Sequence, residues 1–158
     1  MRNGYYLCAG LLGTLLLVAS LSSTPVVACT CTSLPTFEEA VQNSDAIFLG
    51  TVVGIDPVDI GGFSYLSAVM ISSSWWKGEL AGSVRVLTEP DPSVCGFPFE
   101  VGHEYLVYAF LDHGDLWAGL CWRTHETWPG DPDIAALGPP QVVPTLAGTW
   151  SRLKATYR

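Results

Sequence analysis

The chain has 158 residues, five cysteines and a formal net charge of −8 at neutral pH. Its seven lysines and arginines face fifteen aspartates and glutamates and form no basic patch, which argues against binding to nucleic acid or to anionic membrane surfaces. The length suits one domain with a hydrophobic core of its own.

The first 28 residues have the pattern of a secretory signal peptide. Arg2 supplies a positive charge, residues 7–18 are almost purely apolar, and Val26-Val27-Ala28 is a small-residue cleavage pattern. The apolar run is shorter than the roughly 20 residues of a membrane-spanning helix, so a retained anchor is the less favoured alternative. We predict export, cleavage after Ala28 and a mature chain that starts at Cys29 without a membrane span.

Cleavage removes Cys8 and leaves four cysteines, an even number in an exported chain, for which disulfides are expected. A bond between Cys29 and Cys31 would close a strained ring around one residue. Each is therefore expected to bond to one of the distant cysteines, Cys95 and Cys121. The residues alone leave open which pairs with which.

A short helix and three strands are predicted in the first half of the mature chain. Pro35 suits the first turn of the helix, which ends near Asn43. Runs of β-branched or alternating residues predict strands over residues 46–55, 63–76 and 83–88. Between the first two, residues 56–62 contain a proline and two glycines and are predicted to form a turn. The candidate core residues of the second strand are Tyr65, Ala68 or Val69, Ile71 and Trp75.

Two further strands and a second helix are predicted in the other half. Residues 89–98 are predicted to be an irregular loop, and residues 103–111 a strand buried on both faces. A hairpin turn at residues 112–114 leads to a fifth strand, residues 115–122, which carries Cys121. Asp131 and Gly138 delimit the second helix, and the proline-rich residues 139–158 are predicted to be a loosely attached tail.

The predicted fold is mainly β. Five antiparallel strands, with one short helix before the first and another after the last, favour a small closed barrel of the OB type. A β-sandwich would have about seven strands. The predicted organisation is a signal peptide over residues 1–28, a barrel domain over residues 29–138 and a tail over residues 139–158.

Over residues 29–138 the chain resembles the amino-terminal domain of the tissue inhibitors of metalloproteinases (TIMPs), a netrin-like domain, and most of all its single-domain bacterial relatives. The resemblance rests on Cys29-Thr30-Cys31, Asn43-Ser44-Asp45-Ala46-Ile47-Phe48, Trp76-Lys77-Gly78, Cys95-Gly96-Phe97-Pro98-Phe99 with Gly102, and Tyr105-Leu106-Val107-Tyr108-Ala109. It implies an OB-like barrel and two disulfides, Cys29–Cys95 and Cys31–Cys121.

The resemblance also implies a function. In the animal inhibitors, the α-amino nitrogen and the carbonyl oxygen of the first cysteine bind the zinc of the protease, and the next side chain enters the specificity pocket. Those roles fall here on Cys29 and Thr30, with an extracellular zinc metalloprotease as the partner. The animal proteins carry a proline soon after the second cysteine, where this chain has Thr32 and Ser33. This departure changes the edge that would meet the protease.

Two alternatives remain open. Cys29 could serve only as a disulfide anchor in a noncatalytic extracellular binding module. Val26-Val27-Ala28-Cys29 also loosely fits a lipoprotein cleavage box, and lipidation would block the amine and leave three thiols.

No catalytic constellation is recognisable, so we predict a non-enzyme without a cofactor. The spacing of His103, His113 and His125 matches no metal-ligand motif, so we also predict no metal of its own and, for the oligomeric state, a monomer.

Overall fold

A computed structural model describes residues 29–78 and 82–142. The predicted signal peptide (residues 1–28) and residues 143–158 of the predicted tail lie outside the described residues. Two helices, seven strands and one 3-10 turn (Pro92–Val94) occur in the described part. The helices are α1 (Phe37–Asn43) and α2 (Pro132–Leu137), and the strands are β1 (Ala46–Ile60), β2 (Phe63–Lys77), β3 (Ser83–Thr88), β4 (Glu104–Asp112), β5 (Asp115–Trp117), β6 (His125–Glu126) and β7 (Gln141–Val142).

Five of these strands pair in a closed ring. Strand β1 pairs with β2 and with β4, β3 pairs with β2 and with β5, and β5 pairs with β4. The short strands β6 and β7 add to β4 and to β2. The mainly β prediction and the two flanking helices are confirmed. The expectation of an all-antiparallel arrangement is wrong, because β3 and β5 run parallel.

The hairpin of β1 and β2 is longer than predicted. Each strand has 15 residues, and the turn between them is only Gly61-Gly62, both with positive φ. The turn predicted over residues 56–62 is therefore wrong for its first five residues. Pro57 is tolerated within β1 because the pairing of β1 with β4 ends at Thr51, which leaves this part of β1 at an edge where no N–H is needed.

Alternate residues of the ring strands form the main core. Its fully buried members include Phe48, Ala68, Met70, Val86 and Val107. Ile71, a predicted core residue, is 48% exposed, because it lies on the face opposite to that of Ala68 and Met70. The prediction of Ile71 as a core residue is therefore wrong: side chains alternate between the two faces of a strand, and the neighbouring Met70 is the one that faces the core.

A second core lies on the opposite face of β1 and β4. Ile47, Leu106 and Tyr108 are buried there together with Ala40 of α1, and Ile134 and Leu137 of α2 pack against them. Strand β4 is consequently buried on both faces, as predicted, with Tyr105–Ala109 at most 3% exposed. The two helices thus cover one outer face of the ring.

The chain after β4 departs from the prediction. The hairpin turn at His113-Gly114 is confirmed, with both residues at positive φ. Strand β5 ends at Trp117, and Cys121 lies in the turn beyond it rather than in a strand. Gly119 instead forms an isolated bridge with Gly96, which draws this turn towards Cys95.

Candidate functional site

Two disulfides hold the beginning of the described chain. Cys29 is bonded to Cys95 and Cys31 to Cys121, with Cα atoms 5.2 Å and 5.4 Å apart. This is the pairing that the resemblance implies. The bonds span 66 and 90 residues, and closing such long loops contributes about 4 kcal/mol each in the chain-entropy model.

The loop around Cys95 is shaped by local contacts. The side chain of Asp91 accepts a hydrogen bond from the backbone N–H of Ser93 at 2.7 Å, and Cys95 adopts a left-handed conformation with φ of 71°. The carbonyl oxygen of Cys95 accepts a bond from the backbone N–H of Leu120 at 2.8 Å. The two loops that carry Cys95 and Cys121 are therefore joined directly.

The sulfur atoms of both disulfides meet at this junction. The Sγ atoms of Cys29 and Cys121 lie 3.9 Å apart, and those of Cys29, Cys95 and Cys121 all lie within 4.8 Å of one another. Although such a cluster has the spacing of a metal site, each of these sulfurs is bonded in a disulfide, so none is a thiolate ligand.

The three histidines lie apart from this cluster. His103 contacts Glu126 at 2.8 Å, His113 contacts Asp112 at 2.9 Å, and His125 contacts Asp131 at 2.8 Å. In the part of the chain that the structure describes, none of them joins a group with metal-ligand spacing.

The surface next to Cys29 is exposed, although Cys29 itself is only 7% exposed. Residues 30 and 32–34 are all exposed, and Leu34 is 65% exposed. Val94, 50% exposed, directly precedes Cys95, the disulfide partner of Cys29. We call the exposed residues that flank the Cys29–Cys95 bond the terminal edge; they are Thr30, Thr32, Ser33, Leu34 and Val94.

Arg123 connects Pro35, which follows the terminal edge in the chain, to α2. Its Nη1 donates to the carbonyl oxygen of Pro35 at 3.1 Å, and its Nη2 donates to Oδ1 of Asp133 at 2.8 Å. The guanidinium also lies 5.9 Å from the ring centre of Phe37. One side chain thereby links the amino-terminal segment, the Cys121 loop and α2.

The carboxylate of Asp133 is the buried centre of this network. Tyr108 donates its hydroxyl hydrogen to Oδ2 of Asp133 at 3.0 Å. Burial alone would raise the pKa of Asp133, but the hydrogen bonds from Arg123 and Tyr108 outweigh it and hold that pKa below its usual value. Burial, followed by the nearby charge of Asp133, raises the pKa of the Tyr108 hydroxyl.

Sequence reasoning missed Arg123, Tyr108 and Asp133. An aspartate at the start of a short helix is common on exposed surfaces, where it favours the helix dipole. No pattern in the sequence indicates that this carboxylate is buried. The only hint in the sequence of a buried ion pair was Arg123 itself, one of seven lysines and arginines in the chain.

An open cavity of about 350 Å³ lies between residues 33–35, α1 and the turn that carries Cys121. Its lining includes Ser33, Pro35, Ala40, Cys121 and Trp122. One residue of the Cys31–Cys121 disulfide thus lines a solvent-accessible space.

Comparison with known proteins places the chain in a family. No family model matches it. An NTR domain-containing protein from Margaritifera margaritifera is 31% identical over 115 residues, which cover 68% of this chain and 75% of the relative. The chain belongs to the NTR-domain family. NTR (netrin-like) domains include the TIMP family, so the netrin-like part of the resemblance is supported.

The two disulfides of this NTR domain indicate an oxidising, extracellular environment. Among the residues described, no helix combines the length and the apolar character needed to cross a membrane.

Proposed function

We propose that this NTR domain is a secreted, noncatalytic inhibitor of an extracellular zinc metalloprotease. Its ring of strands is an OB-like barrel of the TIMP amino-terminal type, and the mature chain begins at Cys29 and acts as a monomer. The observation that carries the proposal is the anchoring of Cys29 and Cys31 by two disulfides beside an exposed edge.

The α-amino group and the carbonyl oxygen of Cys29 are the zinc-binding atoms in this proposal. Once Ala28 is removed, the two atoms form a five-membered chelate that displaces the water from the open position of a catalytic zinc. An α-amino group with a pKa of about 7.7–8.0 is partly neutral at physiological pH and can donate its lone pair. The disulfide of Cys29 lowers the ordering cost of binding.

The terminal edge supplies the remaining contacts. Thr30 is exposed next to Cys29 and enters the specificity pocket of the protease. Val94 extends the contact on the other side of the Cys29–Cys95 bond. Thr32 and Ser33 give this edge a polar character in place of the proline of the animal inhibitors.

The decisive experiment compares two forms of the protein against a panel of zinc metalloproteases. One form begins at Cys29, and the other carries one additional alanine before Cys29. We expect the first to inhibit and the second to be weaker by about a hundredfold or more, since the added residue turns the amine into an amide. Equal activity or equal inactivity of the two forms contradicts chelation, and shared inactivity favours a binding module.

A matched pair of valines tests the edge. Val94→Ala and Val53→Ala remove the same atoms from residues that are 50% and 52% exposed. We expect only Val94→Ala to raise the inhibition constant, by about tenfold. Equal effects would exclude Val94 from the interface.

The mass of the exported protein tests residue one. We expect a free amino-terminal Cys29 and two disulfides. A lipid adduct on Cys29 would instead indicate a membrane-anchored protein.

A further inference from the structure

We infer that the junction of the two disulfides is a thiol–disulfide exchange centre, in which opening of the Cys31–Cys121 bond is passed on to Cys95. This inference goes beyond protease inhibition and does not depend on it. It rests on the distances between sulfur atoms of different disulfides and on the unequal exposure of the two bonds.

The Cys31–Cys121 bond is the more exposed of the two disulfides. Both of its residues are partly exposed, and Cys121 lines the open cavity of about 350 Å³. In the Cys29–Cys95 bond, Cys95 is also partly exposed, but Cys29 is only 7% exposed. An external thiol can therefore approach either end of the Cys31–Cys121 bond but only one end of the Cys29–Cys95 bond. A neutral thiol is favoured because Glu39 also lines the cavity.

The first step is attack by the external thiolate on Sγ of Cys31. A bond forms between the two sulfurs, the Cys31–Cys121 bond breaks, and its electron pair leaves on Sγ of Cys121 as a thiolate. Attack on Cys121 instead releases Cys31, which does not belong to the three-sulfur group found among the described residues.

The second step takes place inside the protein. The new thiolate of Cys121 lies 3.9 Å from Sγ of Cys29. Rotation of the freed Cys121 side chain brings it into line with the Cys29–Cys95 bond, and it attacks Sγ of Cys29. A Cys29–Cys121 bond forms, the Cys29–Cys95 bond breaks, and Cys95 leaves as a thiolate that takes a proton from water. One external thiol is consumed as the mixed disulfide on Cys31, and no other oxidant or reductant is needed.

The exchange does not require unfolding. The backbone hydrogen bond between Leu120 and Cys95 and the bridge between Gly96 and Gly119 keep both loops in place. After the first step one disulfide remains among the sulfurs of Cys29, Cys95 and Cys121, which lie within 4.8 Å of one another. Either Cys95 or Cys121 can then be the partner of Cys29.

The test uses the exported protein and 2-mercaptoethanol at about pH 8 without denaturant, where part of the thiol is ionised. Free thiols are trapped with N-ethylmaleimide after an acid quench. A glutamate-specific protease then separates Cys95 from Cys121, because Glu100 and Glu104 lie between them. We expect mercaptoethanol on Cys31, none on Cys29, and one maleimide label per molecule, on Cys121 in some molecules and on Cys95 in others. A label confined to Cys121 would overturn the proposal.

Two variants form a matched pair. Cys31→Ser leaves the three clustered cysteines, and we expect Cys29–Cys95 and Cys29–Cys121 bonds to coexist. Cys121→Ser leaves Cys31 outside the cluster, and we expect the Cys29–Cys95 bond alone. Labelled Cys95 should be at least about tenfold more abundant in Cys31→Ser than in Cys121→Ser. Equal labelling contradicts the proposal.

A urea series distinguishes local exchange from exchange through unfolding in the unmodified protein. Local exchange proceeds at a rate that is nearly constant at urea concentrations well below the unfolding midpoint. Exchange through the unfolded state accelerates with urea in proportion to the surface exposed. A steep rise would overturn the proposal even if both cysteines are labelled and even if neither variant folds.

Discussion

Nη1 of Arg123 donates a hydrogen bond to the carbonyl oxygen of Pro35, 3.1 Å away and 88 residues earlier in the chain. The same guanidinium pairs with Asp133 of α2, whose side chain is 7% exposed. The two disulfides hold residues 29–35 at Cys29 and Cys31, and the hydrogen bond from Arg123 holds them at Pro35. The position of the terminal edge therefore depends on an ion pair as well as on covalent bonds.

We expect Arg123→Met to lower the free energy of unfolding by about 3 kcal/mol, because it leaves Asp133 buried without its cationic partner. Urea denaturation measures the change. Arg85→Met is the matched control, since Arg85 pairs with Asp115 on the surface and its side chain is 56% exposed. That variant should lose less than about 1 kcal/mol. Similar losses for both arginines would contradict the role given to Arg123.

The stability of the protein should depend on the protonation of Asp133. Its pKa is lower in the folded state than its usual value, so the folded state favours the carboxylate. The resulting stabilisation is complete above the unfolded pKa of about 3.9 and is lost as the pH falls through the folded pKa. Urea midpoints between about pH 2 and 6 should therefore fall less steeply in Asp133→Asn than in the unmodified protein. Parallel profiles would show that Asp133 does not contribute.

Gly96 is required by a close approach of the backbone. A Cβ atom at this position would lie 2.2 Å from the carbonyl oxygen of Glu89. We expect Gly96→Ala to cost about 2 kcal/mol or more and to shift the Cys95 loop. Gly54→Ala is the control, because no atom lies within 4 Å of its added Cβ. Urea denaturation should show a neutral effect or a gain of about 0.5 kcal/mol for Gly54→Ala.

The two halves of the long hairpin should respond differently to the same substitution. Phe48 is 0% exposed in the main core, whereas Phe63 is 68% exposed beside the turn. We expect Phe48→Ala to cost about 3–5 kcal/mol. Phe63→Ala should change the free energy of unfolding by less than about 0.5 kcal/mol. A large loss from Phe63→Ala in thermal or urea unfolding would mean that the tip of the hairpin packs against the domain.

Short-range signals in the sequence were sufficient for much of the fold. Asp131 caps α2 as predicted, accepting a bond from the backbone N–H of Asp133 at 2.9 Å. The strand over residues 83–88 and the turn at His113-Gly114 were also predicted correctly. Each depends on neighbouring residues, whose propensities and turn geometry act locally.

The errors occur where tertiary pairing overrides local preference. Pro57 looked like a turn residue, but an unpaired edge accommodates it in β1. Residues 118–122 were predicted to be part of a strand, but Gly119 pairs with Gly96 and draws the chain towards Cys95. The partners of these residues are distant in sequence, so local patterns do not report them.

By itself, the sequence determined the class of the protein: an acidic, mainly β domain with four cysteines after a predicted cleavage site and a helix at each end. Only the tertiary structure decided that the Sγ atoms of Cys29 and Cys121 lie 3.9 Å apart, that Asp133 is buried against Arg123, and that β3 runs parallel to β5. The physical reason is the sequence separation over which each kind of interaction acts. Propensities and capping act over a few residues, whereas disulfide proximity, burial and strand pairing arise from contacts between residues far apart in the chain.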